Sequence, residues 1–186
     1  MARLLAALVV LMLVSGPAPG AEEAESRPVP KVIYGLSESV FVPELGIVLP
    51  AKVDSGAESA SLSARNIQRF DRDGERWVRF RLAVPGLDLG ELELPLAHNV
   101  RIKRRASDVD EDDKDYSRRP VVELVLCVGD RQALLDVNLT DRRRFSHPML
   151  LGHEALRALR ALVDAEYDRA MGAPRCQGAE DARRPQ

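Results

Sequence analysis

The segment Asp54-Ser55-Gly56-Ala57 contains the residues of this sequence that are best suited to catalysis. A carboxylate that is presented in a tight turn, rather than on a solvated surface, can accept a proton from an attacking water. Glycine in the third position permits backbone conformations and close approaches that other residues do not. The serine hydroxyl can hydrogen-bond to a second turn and lock it. Because Asp-Ser-Gly is also common in ordinary turns, the segment has to be judged with its surroundings.

The residues before Asp54 predict a β-strand that ends at this turn. Every second side chain of the stretch is apolar, which is the period of a strand with one buried face: Ile47, Leu49, Ala51 and Val53. Pro50 indicates that the strand lies near a sheet edge or carries a bulge. The sequence therefore predicts that a buried strand delivers Asp54 to the end of a sheet.

The rest of the chain predicts short strands joined by hairpins. Asp73-Gly74 and Gly129-Asp130 are turn signals between runs of alternating apolar residues, so a hairpin is expected at each. Residues 107–119 are first acidic and then basic, with almost no apolar side chains, which predicts a mobile loop. The expected fold class is mainly β.

The C-terminal part of the chain predicts one more strand and a helix. Residues 149–151 form a short apolar run that stops at Gly152. Apolar side chains then recur at helical spacing, which predicts a short C-terminal helix; they are Leu156, Leu159, Leu162 and Val163.

The first twenty residues are expected to be a signal peptide. Arg3 precedes an apolar run from Leu4 to Val14, which is shorter than the roughly 20 residues of a membrane-spanning helix. Small residues then lead to a cleavage position after Gly20. The expected organisation is a signal at 1–20, a flexible lead-in at 21–31, one domain at 32–170 and a disordered tail at 171–186. We expect a periplasmic or secreted protein without a stable membrane anchor after cleavage.

The net charge and the cysteine content limit the classes of partner that the protein could bind and the cellular compartment in which it could work. The 27 basic and 29 acidic residues give a formal net charge of −2, which argues against nucleic-acid binding. Cys127 and Cys176 would meet an oxidising compartment after export, where a disulfide is permitted. Pairing requires that their Cα atoms lie within about 7 Å. The sequence leaves open whether they pair or stay apart.

Residues 51–64, which read AKVDSGAESASLSA, resemble the hallmark segment of a bacterial family of retropepsin-like aspartic peptidases. This family is often labelled RimK/LysX-like or "ATP-dependent zinc protease", and its segment commonly reads A-K-I-D-T-G-A-x-T-S-x-L-x-A. The resemblance continues in order through Trp77–Phe80, Arg119–Val122, Pro148–Gly152 and Val163–Asp164. It covers about residues 32–168 and implies a single-lobed acid-protease barrel with one short C-terminal helix.

The resemblance also implies roles for individual residues. Asp54 would be the catalytic carboxylate and Ser55 the lock between two loops, while Gly56 and Ala57 complete the active-site loop. The later apolar-apolar-glycine segment that supports such a loop is Leu150, Leu151 and Gly152.

Some positions depart from the family pattern and bear on substrate preference. Ser55 replaces the usual threonine and keeps its hydroxyl. Glu58 and Ser63 stand where the family often has a basic residue and a histidine, and His153 replaces a common arginine.

The residues give no support to the zinc and ATP of the family label. The sequence contains no G-x-x-x-x-G-K-[ST] phosphate loop and no H-E-x-x-H motif. Loop and helix-start positions explain His147 and His153 better than a zinc site does. The acidic run from Asp108 to Asp113 lacks a glycine at the sixth position of a calcium loop and a glutamate at the twelfth, where Arg119 stands. We expect no cofactor and no metal site.

Aspartic peptidases use two carboxylates that face each other across one water, and at about 3 Å the pair holds a single proton. One Asp54 per chain supplies half of such a pair, so we expect a homodimer with Asp54 from each chain. The substrate would be a peptide or protein. The hairpin at Gly74 or the loop from Ser107 to Arg119 is expected to serve as the flap that covers it.

Two alternatives stay open. The same fold would be a non-catalytic envelope module that binds a peptide or glycan if Asp54 meets no second carboxylate. The second alternative is a hydrolase that pairs Asp54 with Asp136 or Asp164 of the same chain, although no motif supports it.

Overall fold

The structure is a computed structural model that describes residues 30–103 and 116–179. The expected signal peptide, most of the lead-in, residues 107–115 of the expected loop and residues 180–186 of the tail lie outside the described residues. The described elements follow the chain in this order: β1 (Val32–Tyr34), β2 (Ser37–Val42), a 3-10 turn (Pro43–Leu45), β3 (Ile47–Val53), β4 (Ala60–Arg72), β5 (Glu75–Leu82), β6 (Leu92–Pro95), β7 (His98–Lys103), β8 (Tyr116–Val128), β9 (Arg131–Thr140), β10 (Met149–Leu151), α1 (His153–Ala158) and β11 (Ala161–Val163).

The main sheet closes on itself to form a barrel. Its strand order is β10-β3-β2-β8-β9-β4-β5-β6, and β10 also pairs with β4. The pairing of β10 with both β3 and β4 completes a ring, and closure leaves the ring strands without free edges. β7 pairs with β8 outside the ring. The expected fold class, mainly β in a single lobe with one short helix, is confirmed.

Alternation along β3 places one face of the strand in the core, as the sequence predicts. Its apolar residues at 47, 49, 51 and 53 are all buried. Pro50 pairs with Ser39 of β2, whereas β10 reaches only residues 51–53 of β3. At Pro50 the strand therefore has β2 as its only described neighbour, which resembles an edge position where proline is tolerated.

Both expected hairpins are present. β4 and β5 meet at Asp73 and Gly74, which have φ of 51° and 83°, the left-handed geometry that suits a two-residue hairpin turn. β8 and β9 meet at Gly129-Asp130, with Val128 opposite Arg131. The expected loop from Ser107 to Arg119 is strand from Tyr116 onward, because β8 pairs with β7 as far as Tyr116.

The C-terminal helix is shorter than its apolar spacing predicts. It ends at Ala158, and Arg160 adopts a left-handed φ of 61° that breaks the helical path. Leu162 and Val163 belong instead to β11, which pairs in parallel with β1. The expectation of a helix through Val163 is wrong because pairing with the distant β1 outweighs local periodicity. The part of the chain that the structure describes contains no helix long and apolar enough to cross a membrane.

The segment after β11 packs back onto the barrel. The buried carboxylate of Glu38 accepts hydrogen bonds from the backbone N–H groups of Gly35 and Ala170, at 2.8 and 3.0 Å. Cys127 and Cys176 form a disulfide, with 6.3 Å between their Cα atoms. Residues 171–179, expected as the start of a disordered tail, are therefore held against β8 by a covalent link. The sequence alone left this link open.

Candidate active site

The backbone at Asp54 is held from two sides. Val53 donates its N–H to the carbonyl oxygen of Leu36 at 2.9 Å, and Asp54 donates its N–H to the carbonyl oxygen of Leu151 at 3.0 Å. Val53 and Leu151 are parallel register partners on β3 and β10. The strand end that carries Asp54 therefore has little freedom to move relative to the barrel.

The loop after β3 is organised around the Asp54 carboxylate. The N–H of Gly56 donates to Asp54 Oδ1 at 3.1 Å, and the N–H of Ala57 donates to the Asp54 carbonyl oxygen at 3.2 Å. An aspartate that binds the backbone two residues on makes a compact turn. Lys52 Nζ lies 3.5 Å from Asp54 Oδ2, and the Asp54 side chain is 31% exposed. The carboxylate is thus oriented by the loop and still accessible to a water or a substrate.

The close approach expected at Gly56 occurs instead at Gly152. A Cβ atom at Gly56 would meet only Asp54 Oδ1, at 3.4 Å. A Cβ atom at Gly152 would lie 2.6 Å from the carbonyl oxygens of Glu58 and Ser59. Only glycine allows β10 to pass this close to the loop, so Gly152 is the residue whose lack of a side chain shapes the site.

The first turn of α1 fastens the other end of the loop. His153 donates its backbone N–H to the carbonyl oxygen of Ala57 at 2.8 Å, and Glu154 donates to that of Glu58 at 3.1 Å. Helix starts leave such N–H groups without helical partners, and here the loop carbonyls accept them. The structure thus brings the Asp54 loop and the 150–152 segment together, as the resemblance implies.

Ser55 lies at the surface of the chain. It is exposed, and among the described residues its hydroxyl has no hydrogen-bond partner. It borders an open cavity of about 520 Å³ together with His153 and Leu162. Leu162 is 50% exposed, as is its register partner Ile33 on β1. An apolar face therefore lies beside the exposed side of the active-site loop.

Arg142 is a buried cation that interacts with Asp54 and that sequence reasoning did not identify. Its Nη1 donates to Ser61 Oγ at 2.9 Å, and its backbone N–H donates to Ser63 Oγ at 3.1 Å. Burial lowers the pKa of Arg142, the charge of Arg119 lowers it further, and the Asp54 carboxylate acts in the opposite direction. The sequence signal, a run of three arginines from 142 to 144, does not show which of them is buried.

The other carboxylates considered for a single-chain pair have different partners. Asp136 Oδ2 lies 3.7 Å from His98 Nδ1, and Asp164 Oδ1 accepts the N–H of Glu166 at 3.0 Å. No described contact joins either of them to Asp54. Within residues 30–103 and 116–179, no group of three or more histidine, cysteine, aspartate or glutamate side chains is arranged to hold a metal ion.

Similarity to known proteins identifies the family of this chain. The model of the RimB-like family, described as retropepsin-like aspartic endopeptidase RimB, matches residues 33–171. A solved structure of the Legionella pneumophila protein Lpg0085, of unknown function, is 31% identical with a TM-score of 0.61. That match covers 75% of this chain and 98% of that one.

Longer proteins named probable alpha-L-glutamate ligase also match. The one from Desulfotalea psychrophila is 32% identical over 151 residues, which are 79% of this chain and 31% of that protein. The one from Shewanella halifaxensis is 34% identical over 143 residues, which are 76% and 30% of the two chains. This chain spans about a third of the length of these relatives. The resemblance drawn from residues 51–64 is confirmed, and the chain belongs to the RimB-like family of retropepsin-like aspartic endopeptidases.

Proposed function

We propose that this protein is an exported aspartic endopeptidase in which two Asp54 carboxylates, one from each chain of a homodimer, activate a water for attack on a peptide bond. The observation that carries the proposal is the presentation of Asp54. Its backbone is bonded to β10, its Oδ1 accepts the Gly56 N–H, and its carboxylate remains partly exposed. A rigidly held carboxylate is what positioned acid-base catalysis requires.

The chemistry follows from two like charges held close together. One carboxylate of the pair stays charged and takes a proton from the attacking water, while the other is neutral and donates a proton to the carbonyl oxygen of the substrate. Lys52 lies 3.5 Å from Asp54 Oδ2. We expect this exposed ion pair to give way when a second carboxylate arrives, because such pairs contribute only about 0–1 kcal/mol.

The surface around Ser55 supports the homodimer. Ile33 and Leu162 are each 50% exposed and Val163 is 43% exposed, on the two paired strands β1 and β11. Exposed apolar side chains that lie together on one face, as the register partners Ile33 and Leu162 do, mark a candidate interaction site. Ser55 and Leu162 line the same cavity, and a two-fold interface uses the same patch on both chains, so a dimer formed through this patch would place the two active-site loops at the interface.

Export is supported by the disulfide between Cys127 and Cys176 and by the apolar run at the start of the sequence. Disulfides persist in oxidising compartments and are rare in the cytosol. A periplasmic or secreted location accounts for both features.

The proposal is tested by cleavage of a denatured-protein substrate between about pH 4 and 7, the range in which a carboxylate pair holds one proton. Wild type is compared with Asp54→Asn, and Asp71→Asn, an exposed position on β4, is the matched control. We expect cleavage by wild type and by Asp71→Asn only. Equal cleavage by Asp54→Asn would exclude the mechanism. Light scattering on the same samples measures whether the active species has the mass of two chains.

A non-catalytic envelope module is the second candidate, and the ion pair between Lys52 and Asp54 favours it. In a single chain the described partner of this carboxylate is a cation rather than another carboxylate. This candidate predicts a monomer that binds peptides and cleaves none. Peptide binding that is equal in wild type and Asp54→Asn, without cleavage by either, would support it over the peptidase.

A further inference from the structure

Residues 164–179 follow β11 and cross the turn between β1 and β2, and we call them the C-terminal strap. At the start of the strap, Asp164 donates its N–H to the carbonyl oxygen of Tyr34 at 2.9 Å. Near its end, Cys176 is joined to Cys127 of β8 by the disulfide. The strap is therefore anchored to the barrel at two points that lie on different strands.

The strap lies along the part of β2 that β8 does not reach. Among the described strands, β8 pairs with β2 only at Val40 and Phe41. At the start of β2, Ser37 donates its N–H to the carbonyl oxygen of Asp168 at 2.8 Å, and Ser37 Oγ donates to Asp168 Oδ1 at 2.9 Å. Because these bonds satisfy polar groups at the edge of β2, the strap serves β2 as a neighbouring strand would.

The crossing at the β1–β2 turn is tightly packed. A Cβ atom at Gly35 would lie 2.6 Å from the carbonyl oxygen of Asp168 and 2.7 Å from that of Tyr167. Only glycine allows two backbones to approach this closely. The position of the strap is thus coupled to the position of the turn.

The buried side chain of Glu38 ties the turn and the strap together. Its Oε1 accepts the N–H groups of Gly35 and Ala170 at 2.8 and 3.0 Å, and its Oε2 accepts the N–H of Met171 at 3.2 Å. A carboxyl group that is buried without hydrogen bonds is costly. Glu38 therefore stabilises the fold only while the strap and the turn stay in place around it.

Leu36 connects the strap to the strand that carries Asp54. The N–H of Leu36 donates to the carbonyl oxygen of Tyr167 at 2.8 Å, and the carbonyl oxygen of Leu36 accepts the N–H of Val53 at 2.9 Å. Val53 directly precedes Asp54 in the sequence. The strand end is thus held by β10 on one side and, through Leu36, by the strap on the other.

We propose that Glu38 is a positioning residue for Asp54. It fixes the strap against the β1–β2 turn, and the strap in turn fixes Leu36, whose carbonyl group orients Val53 and the active-site loop. The inference rests on the proposed peptidase function and requires no contact between Glu38 and the substrate. Small displacements of a catalytic group by distant substitutions reduce rates strongly, by up to about a hundredfold for 1 Å.

The first test measures hydrogen exchange in the full-length protein, because exchange reports local opening whether or not the protein cleaves a peptide. In Glu38→Gln one acceptor oxygen is replaced by an NH2 group, which cannot accept the strap N–H. We expect exchange about tenfold faster in peptides covering residues 51–58, with little change in peptides covering residues 75–82 on β5.

The second test measures cleavage kinetics. For Glu38→Gln we expect kcat to fall about tenfold with KM unchanged, because the substitution misplaces Asp54 without removing a substrate contact. Glu44→Gln is the matched control: its Oε1 accepts the N–H of Val125 at 2.8 Å, away from the strap. This control should keep wild-type exchange and wild-type kinetics.

A general loss of stability would give a different result. Val78→Ala shortens a buried side chain of β5 and should accelerate exchange in both sets of peptides alike. If Glu38→Gln behaves in the same way, or accelerates neither set, the positioning role is excluded. Selective acceleration at 51–58 with a wild-type kcat would also overturn it.

Two further outcomes are covered. If Glu38→Gln does not fold, Cys127→Ser/Cys176→Ser releases the far end of the strap instead, and the same selective acceleration at 51–58 is expected. Equal acceleration of both sets of peptides in that variant would overturn the inference. If wild type cleaves nothing, the peptidase proposal fails alone, and exchange at 51–58 still decides whether Glu38 holds the Asp54 strand through the strap.

Discussion

The backbone N–H of Asp54 donates a 3.0 Å hydrogen bond to the carbonyl oxygen of Leu151, and this bond joins two segments that lie far apart in the chain. Leu151 belongs to β10, the short strand that pairs with both β3 and β4 and so closes the barrel. The position of the candidate catalytic carboxylate is therefore set by barrel closure, and changes in β10 should reach the active-site loop.

Gly152→Ala should destabilise the protein although it adds only one methyl group. The new Cβ would lie 2.6 Å from two backbone carbonyl oxygens of residues 58 and 59, which cannot move as a flexible side chain could. We expect a loss of about 2 kcal/mol in the free energy of unfolding, measured by urea denaturation. Gly56→Ala is the matched comparison, because its Cβ would meet only Asp54 Oδ1 at 3.4 Å. Equal losses in the two variants would contradict this account of the site.

Leu162→Arg should weaken the proposed dimer without unfolding the chain. The side chain is 50% exposed, so a charge there is tolerated in the monomer and would face its own copy across a two-fold interface. We expect the mass measured by light scattering to fall towards that of one chain, with loss of cleavage. Leu134→Arg changes a 61% exposed leucine on β9 and should alter neither property. A Leu162→Arg protein that remains a dimer would show that this face is not the interface.

Reduction of the disulfide should lower stability. Cys127 and Cys176 are separated by 49 positions and link the C-terminal segment to β8. Loss of a bridge that closes a loop of this size costs about 2–4 kcal/mol. We expect a lower Tm for wild type with dithiothreitol, and the same low Tm with and without it for Cys127→Ser/Cys176→Ser. A wild-type Tm that does not respond to the reductant would argue against the bridge.

Asp141 should contribute a small, pH-dependent term to stability. Hydrogen bonds from Arg143 lower the pKa of Asp141 to about 2, below the value of about 3.9 in an unfolded chain. A carboxylate whose pKa is lower in the folded state than in the unfolded state stabilises the fold above about pH 4, where it is charged in both states. This contribution is lost as the pH falls towards 2, because the carboxylate becomes protonated. Because the Asp141 side chain is 45% exposed, we expect less than about 1 kcal/mol.

Unfolding of wild type and Asp141→Asn between about pH 2 and 5 measures this term. The difference between the two proteins should be present at pH 5 and vanish at pH 2. A difference that stays constant over this range would assign the effect of the substitution to something other than the ionisation of Asp141.

Local features of the sequence were sufficient to predict much of the barrel. The alternation from Ile47 to Val53 predicts the buried face of β3, and the glycine turns at 74 and 129 predict the two long hairpins. These features depend on neighbouring residues, because strand period and turn conformation are set within a few positions of the chain. The motif at Asp54 could be recognised for the same reason.

Contacts between distant segments could not be predicted in this way. The spacing of Leu162 and Val163 suits a helix, yet pairing with β1 makes them a strand. The sequence placed the close approach at Gly56, whereas the carbonyl groups of the loop crowd Gly152. Each outcome depends on which distant segment lies beside the residue in the fold, and the order of the strands is a property of the whole chain.

The sequence by itself therefore determined the fold class, the family and the residue that carries the candidate chemistry. Only the tertiary structure decided which groups surround that residue. It buried Arg142 near Asp54, paired Cys127 with Cys176, and bonded the buried Glu38 to the C-terminal strap. The physical reason is that burial and charge proximity arise when the barrel closes, and no local pattern encodes them.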